Sequence, residues 1–285
     1  MSKPKKLHEA LNGASSFLLE HGREEATARI LLQHELGLSH AGLLASMRDE
    51  ISEDQYSRYW NKIEQLAQGT PVQHLTGVEE FYGRTFRVNE NVLIPRPETE
   101  ELVEEALHLI ELHLTAGNPT IADIGTGSGI IAITMKCELP DSQVTATDIS
   151  AAALETAKLN AQHLEAEINF KLGDLTEPIS ESSWDVILSN PPYIAYTEAP
   201  ELSDTVRDFE PHTALFADKK GLALYEKMAS ELPKLLRKPG IAGFEIGHEQ
   251  GEAVEKMLKD ALPEAKVYVK KDINKNDRMV FCIIE

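Results

Sequence analysis

The sequence predicts an α/β fold built on a seven-stranded mixed sheet, preceded by a separate helical bundle. Three observations carry this. From Thr120 to the C-terminus, short apolar runs of strand type alternate with helical patterns. Residues 1–70 instead repeat their apolar positions only at helical spacing. A segment rich in strand formers and then in proline separates the two regimes.

In the bundle, Leu7, Leu11, Ala14 and Leu18, then Ile30, Leu31 and Leu36, mark helix faces. Gly22 and Gly37 punctuate them, and Ser39 and Ser52 are expected N-caps. Gly69-Thr70-Pro71 is expected to end the bundle, giving a first domain of residues 1–71. Phe81, Phe86, Val88, Val92 and Ile94 favour strands, with a turn at Tyr82-Gly83-Arg84, so residues 72–94 read as a β-hairpin linker. Pro95-Arg96-Pro97 stiffens the chain. Glu98, Glu100 and Glu101 then open a helix reaching about Leu114, with acids where the helix dipole favours them.

The domain over 95–285 supplies the alternation. Expected strands are Ile121–Ile124, Val144–Asp148, Ile168–Leu172, Val186–Ser189, Ile241–Ile246, Val267–Val269 and Met279–Ile283. Expected helices are Ile130–Glu138, Ala151–His163, Leu222–Leu236 and Gln250–Ala261. Repeated strand–helix units imply a mainly parallel sheet covered on both faces. Only Lys270 to Arg278 separates the last two strands, too little for a helical crossover, so they should pair antiparallel.

Composition narrows the function. The 285 residues are enough for more than one typical domain. No apolar run approaches the roughly 20 residues of a membrane span. The start, Met1-Ser2-Lys3-Pro4-Lys5-Lys6, is basic, but no signal-peptide core follows it. Cys137 and Cys282 are far apart and lack metal-ligand spacing, which fits small apolar packing in a reducing cytoplasm. The net charge is −19; residues 1–75 carry 8 basic and 10 acidic side chains, the remainder 20 and 37. A body this acidic repels polyphosphate, so direct nucleic-acid binding is not expected.

The chemistry begins at Asp123-Ile124-Gly125-Thr126-Gly127-Ser128-Gly129, between a strand and a helix. Glycines there permit tight turning and close backbone approach, and the N–H groups at the helix start favour an anion. In S-adenosylmethionine that anion would be the methionyl carboxylate. Asp148, ending the second strand, can accept hydrogen bonds from both ribose hydroxyls. Asp174, after the third strand, can accept from an adenine amine, and Leu175 can pack on the adenine face. The loop alone does not choose this cofactor. Gly127-Ser128-Gly129-Ile130-Ile131-Ala132 also satisfies the G-x-G-x-x-A dinucleotide fingerprint. A strand-to-helix turn without a ligand is the lesser alternative.

Asn190-Pro191-Pro192-Tyr193 follows the fourth strand. An amide nitrogen is a poor nucleophile because its lone pair is delocalised. A site can hold both of its N–H groups with acceptors and leave the lone pair facing an electrophile. The Asn190 side-chain carbonyl is one acceptor and the Pro191 backbone carbonyl a second. Two prolines fix the turn, so little entropy is lost on binding. Tyr193 is expected on the flat face of the acceptor, excluding water. Transfer of a sulfonium methyl then needs in-line placement, supplied by proximity without a general base. The plain reading of Asn-Pro-Pro as a rigid turn weakens once it stands downstream of the glycine loop and Asp148. An NAD reading leaves this segment without a role and offers no hydride-transfer set.

The histidines show no paired i, i+4 metal spacing, so no metal is expected. The acids from Glu98 to Glu105 read as a solvated helix face, although Arg96 and Glu98 are near enough in sequence to reach the cofactor pocket. The long irregular stretch Ile194–Lys220, containing Glu210-Pro211, is of a length usually functional or mobile, and can lid an acceptor site.

These residues resemble the protein-glutamine methyltransferase family called PrmC or HemK. Its signature segments are matched in order by Ile94-Pro95-Arg96-Pro97-Glu98-Thr99-Glu100, the glycine loop, Ser189-Asn190-Pro191-Pro192-Tyr193-Ile194 and Phe209-Glu210-Pro211. The Asn-Pro-Pro-Tyr piece alone is shared with DNA adenine and ribosomal RNA guanine methyltransferases. The expectation is a cytoplasmic enzyme with a Rossmann-like class I S-adenosylmethionine-dependent methyltransferase fold; a monomer is expected, although the sequence itself does not show the oligomeric state. Its acceptor would be the glutamine of the Gly-Gly-Gln motif in class-one peptide chain release factors, docked with help from the helical domain. Gly125, Thr126, Gly127, Ser128, Gly129, Asp148 and Asn190 would contact the cofactor, and Asn190 to Tyr193 would hold the glutamine. Some relatives place an aromatic where Leu175 stands. A nucleic-acid amino methyltransferase and a non-catalytic release-factor or ribosome-binding module are the competing expectations.

Overall fold

The computed structural model describes residues 6–114 and 117–285; the basic start, residues 1–5, lies outside the described residues. The chain divides into two compact units. The first runs to Val78 and takes in Ser203–Phe209; the second comprises Glu79–Leu202 and Glu210–Glu285.

The helical unit contains α1 (Leu7–Glu20), α2 (Ala26–Leu36), α3 (His40–Ala45), α4 (Glu53–Ala67) and α5 (Val72–Thr76). Ser39 accepts from the Gly42 N–H, and Ser52 forms a capping box with Gln55, as their sequence positions predict. Gly37 closes α2 in the left-handed region at φ +64°. The core is Leu7, Ala14, Leu18, Leu31, Leu32, Leu43, Ile63 and Leu66, with Tyr59 fully buried and its hydroxyl donating to Ala28 O at 3.0 Å. Pro71 caps rather than ends the bundle: residues 72–76, expected in the linker, form α5. The Arg23 guanidinium donates to both oxygens of Asp204 at 2.7 Å, tying Ser203–Phe209 into this unit.

A hairpin of β1 (Val78–Phe81) and β2 (Arg84–Arg87) follows. Tyr82 and Gly83 at its tip both have positive φ, as a type I′ hairpin turn requires. Next come α6 (Pro97–His113), β3 (Thr120–Ile124), α7 (Ile130–Glu138), β4 (Gln143–Asp148), α8 (Ala151–His163), β5 (Ile168–Leu172) and β6 (Trp184–Ser189). The stretch expected to be irregular holds short elements instead: β7 (Ile194–Ala195), a 3₁₀ segment Tyr196–Glu201, α9 (Asp204–Phe209), α10 (His212–Leu215), β8 (Phe216–Ala217) and α11 (Asp218–Gly221). The chain ends with α12 (Ala223–Leu235), β9 (Leu236–Glu245), α13 (Gly251–Ala261), β10 (Lys266–Lys271) and β11 (Asp277–Ile284).

The seven-stranded sheet has the order β10-β11-β9-β6-β3-β4-β5. Strands β5, β4, β3, β6 and β9 are parallel; β11 inserts antiparallel between β9 and β10. Successive residues alternate between two apolar layers. Met279, Phe281 and Ile283 join the layer containing Leu102, Val103 and Ile131 from α6 and α7. Val280, Cys282 and Ile284 join the layer with Met228, Leu232 and Leu258 from α12 and α13. Burial pushes the Cys282 thiol up to about 12, in keeping with small apolar packing. Among the described residues no helix is long and apolar enough to cross a membrane.

Candidate active site

Parallel pairing aligns the carboxyl ends of four strands. Ile124 lies opposite Thr147 and Ser189, and Ser189 opposite Phe244. Gly125, Asp148, Asn190 and Glu245 therefore come to one edge, where the strand order reverses about β3 and β6. Open α/β sheets bind ligands at such an edge. A cavity of about 300 Å³ opens there, at the small end of the range for small-molecule sites. Its wall contains Gly125 to Ser128, Asp148, Asp174, Leu175, Asn190 and Pro192, together with Arg96 and Thr99.

The glycine loop turns through positive φ at Gly125, Gly127 and Gly129. A Cβ at Gly129 would meet Ile133 Cδ1 at 2.7 Å and Ala157 Cβ at 3.1 Å, so close packing of α7 against α8 also requires glycine. The loop is more internally bonded than its sequence implies. Gly125 and Thr126 N–H both donate to Thr147 O at 2.9 Å, Gly129 N–H to Thr126 O, and Gly127 N–H to Asp148 Oδ2. The expected row of free N–H groups is thus largely engaged within the protein. Asp123, fully buried, accepts from Thr126 Oγ1 and Ala132 N–H through Oδ2, while its Oδ1 has no donor among the described residues. Burial raises its carboxyl to about 7.

Asp148 accepts from Gly127 N–H on one oxygen and Ser150 N–H on the other. Burial raises its pKa, against the effect of these backbone donors. Each oxygen keeps a second lone pair for a hydroxyl in the cavity. Asp174 also faces the cavity, with one oxygen paired to Lys227 Nζ. Leu175 lines the wall in the left-handed region at φ +46°, a costly conformation for a branched aliphatic residue, held in part by Thr147 Oγ1 donating to Leu175 O.

Asn190 is half-buried in the wall. Its Nδ2 donates to Thr99 Oγ1 at 3.1 Å, and the Thr99 hydroxyl donates to Glu245 Oε2 at 2.6 Å. Glu245 is buried in the sheet, and burial lifts its carboxyl to about 7. Pro191 and Tyr193 are not among the residues lining the cavity, whereas Pro192 is. Tyr193 packs against the apolar layer of α12 and α13, its hydroxyl toward Glu245 Oε1 at 3.5 Å, and burial raises its pKa. A phenol beside a buried carboxylate turns its one donor that way.

Arg96 reaches the cavity wall and pairs with Glu210, whose carboxylate is buried and also accepts from Ile94 N–H at 3.2 Å. Glu210-Pro211 is therefore a clasp on the proline-rich segment. Tyr196 and Phe216, stacked with centroids 5.3 Å apart, add an aromatic wall from the stretch expected to cover the acceptor. Thr99 and Glu245 are the site residues that sequence reasoning missed. Thr99 sits among acids that read as a helix start. The available signal for Glu245 was a lone acid closing an apolar strand, Ile241 to Phe244.

Comparison with known proteins gives the same outline. Residues 9–77 match the PrmC N-terminal domain and residues 102–206 the methyltransferase small domain. A release factor glutamine methyltransferase from Bacillus cereus is 46% identical over 282 residues, covering 98% of this chain and 100% of that one. One from Bacillus subtilis is 43% identical over 286 residues, covering 98% of each. Among solved structures, a Pyrococcus furiosus methyltransferase (15% identity, TM-score 0.53) covers 78% of this chain and 98% of its own. The hMettl16 catalytic domain (16% identity, TM-score 0.54) covers 86% and 84%. These two share the fold alone.

Proposed function

Because this chain belongs to the release factor glutamine methyltransferase family, we propose that it methylates the side-chain amide nitrogen of the glutamine in the Gly-Gly-Gln motif of class-one release factors. The methyl donor is S-adenosylmethionine, which when bound supplies an electrophilic sulfonium methyl group. The residues present fit it. Gly125 to Gly129 allow close approach, Asp148 retains lone pairs for ribose hydroxyls, and Asp174 and Leu175 stand in the same wall for the adenine.

The observation that carries the acceptor reading is the Asn190 side chain. One of its two Nδ2–H groups donates to Thr99, which leaves Oδ1 to accept from a ligand. One N–H of a glutamine carboxamide donates to Asn190 Oδ1; the Pro191 carbonyl is the second acceptor, although that residue lies outside the cavity wall. The amide is thereby oriented with its lone pair toward the donor, and proximity does most of the work. Pro192 joins Asn190 in the wall, and Tyr193 backs the turn from behind. The substrate is a protein rather than nucleic acid, in line with the 37 acidic against 20 basic residues beyond position 75.

Mass spectrometry of a release-factor digest after incubation with enzyme and cofactor tests this. A gain of one methyl group on the Gly-Gly-Gln peptide supports it. Label entering RNA or DNA instead, with the peptide unmodified, rejects it.

A further inference from the structure

Asn190 is a symmetric-looking side chain whose two ends have opposite chemistry. Presented oxygen-first, it can hold an amide N–H; presented nitrogen-first, it repels the same group. The prolines that follow it fix the backbone but not this rotation. Something else must choose the end that faces the cavity.

We propose that Thr99 and Glu245 make that choice, as positioning residues acting through Asn190. The inference rests on the acceptor reading above and adds the device that sets its polarity. The argument is a count of hydrogens. Thr99 carries one hydroxyl proton. Glu245 Oε2 lies 2.6 Å from Thr99 Oγ1; when Glu245 is ionised its carboxylate can only accept, so the proton then points to Glu245. Thr99 Oγ1 then has only lone pairs left for its other neighbour. Asn190 lies 3.1 Å away and must offer Nδ2 to it. Oδ1 is left for the cavity. An Asn190 turned the other way would set its oxygen against a hydroxyl oxygen with no proton to share.

The surroundings hold the relay in place. Thr99 and Glu245 are both essentially inaccessible to solvent, so water does not readily replace a lost partner. Thr99 sits in the first turn of α6, and Glu245 ends β9. The Tyr225 hydroxyl donates to the Glu245 backbone carbonyl at 2.6 Å, fixing the strand end that carries the carboxylate. Burial raises the Glu245 carboxyl, while the Thr99 hydroxyl and the positive charge of Arg278 oppose it and favour the ionised form. A buried charge is costly unless it is paired and hydrogen-bonded, and here the hydrogen bond comes from Thr99, through which Glu245 orients a dipole two hydrogen bonds away.

The test is a double-substitution cycle with Thr99→Val, Thr99→Ser and Asn190→Ala, read as methylation of a release factor. Thr99→Val is nearly isosteric and removes the acceptor. It should lower kcat about tenfold or more while S-adenosylhomocysteine affinity by calorimetry stays within about twofold, and Thr99→Ser should restore turnover. In the Asn190→Ala background, Thr99→Val should cost nothing further, because its effect passes entirely through Asn190. An equal loss in both backgrounds overturns the inference, as does a Thr99→Val enzyme with unchanged kcat.

A readout free of catalysis accompanies it. In protein ¹⁵N-labelled at asparagine, the Asn190 side-chain amide, assigned by its loss in Asn190→Ala, should exchange with solvent slowly in the wild type and in Thr99→Ser. Exchange should be about tenfold faster in Thr99→Val. Equal exchange in all three overturns the relay. If the wild type methylates no release factor, the functional reading fails, while the exchange experiment still decides the orientation.

Discussion

The backbone N–H of Gly127 donates to Asp148 Oδ2 at 2.9 Å, so the turn after β3 is tied to the end of β4 by one carboxylate. Ser150 N–H holds the other oxygen at 2.8 Å. Asp148 thus has two tasks: shaping the glycine loop and presenting lone pairs to the cavity. Asp148→Ala removes both. Hydrogen bonds to charged groups contribute about 1.5–3 kcal/mol, so cofactor affinity should fall about 10- to 100-fold. Calorimetric titration with S-adenosylmethionine checks this; unchanged affinity removes Asp148 from the cofactor site.

Asn190→Ala should behave differently. It deletes an orienting acceptor and leaves the glycine loop and Asp148 in place. Removing one oriented hydrogen-bonding group from an active site typically lowers kcat by roughly a hundredfold or more. Cofactor affinity should change little. Steady-state kinetics on a release factor beside calorimetry separates the two effects. Equal losses in both would show that Asn190 chiefly holds the cofactor.

The Arg96–Glu210 pair predicts an asymmetry. The Glu210 side chain is 1% exposed, whereas the Arg96 side chain is 33% exposed. Arg96→Ala strands a buried carboxylate whose remaining donor is Ile94 N–H. Glu210→Ala leaves a guanidinium that can turn to water. Arg96→Ala should therefore cost more, about 3 kcal/mol against about 2 for Glu210→Ala, since breaking a buried pair is expensive chiefly through the charge left inside. Urea denaturation of both variants measures it. The reverse order would mean that the arginine is the less easily solvated partner.

Where local patterns decide, the sequence is a close guide. Helices Ile130–Glu138 and Ala151–His163 and strand Ile168–Leu172 occupy the spans their periodicity predicts. Their ends carry local signals: Gly129 in the left-handed region before α7, and Ser150 accepting from Ala153 N–H before α8. What escapes is set by partners distant in sequence. Ser203–Phe209 joins the helical unit through Asp204, which Arg23 meets across 181 positions. Thr99 and Glu245 are 146 residues apart, and neither belongs to a motif spacing that marks them as a pair. Tyr193 sits in a recognisable motif, yet its orientation depends on Glu245 and on the apolar layer behind it, neither of which the motif contains. Residues 72–76 escape as well, because Gly-Thr-Pro stops one helix and, with Pro71 at the N-cap, starts another.

Glu245 should give activity and stability opposite responses to pH. Burial raises its carboxyl from 4.5 to about 7, with Glu98 also raising it; Thr99, Arg278 and Tyr193 lower it, and Tyr225 lies close by. Below about pH 7 the carboxyl gains a proton and can donate to Thr99, which then turns its own proton to Asn190 and draws Oδ1 away from the acceptor. Turnover should rise as pH increases through about 7, and Glu245→Gln should flatten that limb. Stability runs the other way. A native state that binds this proton more tightly than the unfolded chain gains stability that is complete below about 4.5 and lost as pH rises through about 7. Asp123, also raised to about 7, adds a contribution of the same sign. For Glu245 alone the change is at most about 3 kcal/mol, at 1.36 kcal/mol per pKa unit. Melting temperatures from pH 5 to 8 should therefore decline in the wild type and decline less in Glu245→Gln, over the same interval in which wild-type kcat rises. A parallel rise of both in the wild type would place the titration elsewhere.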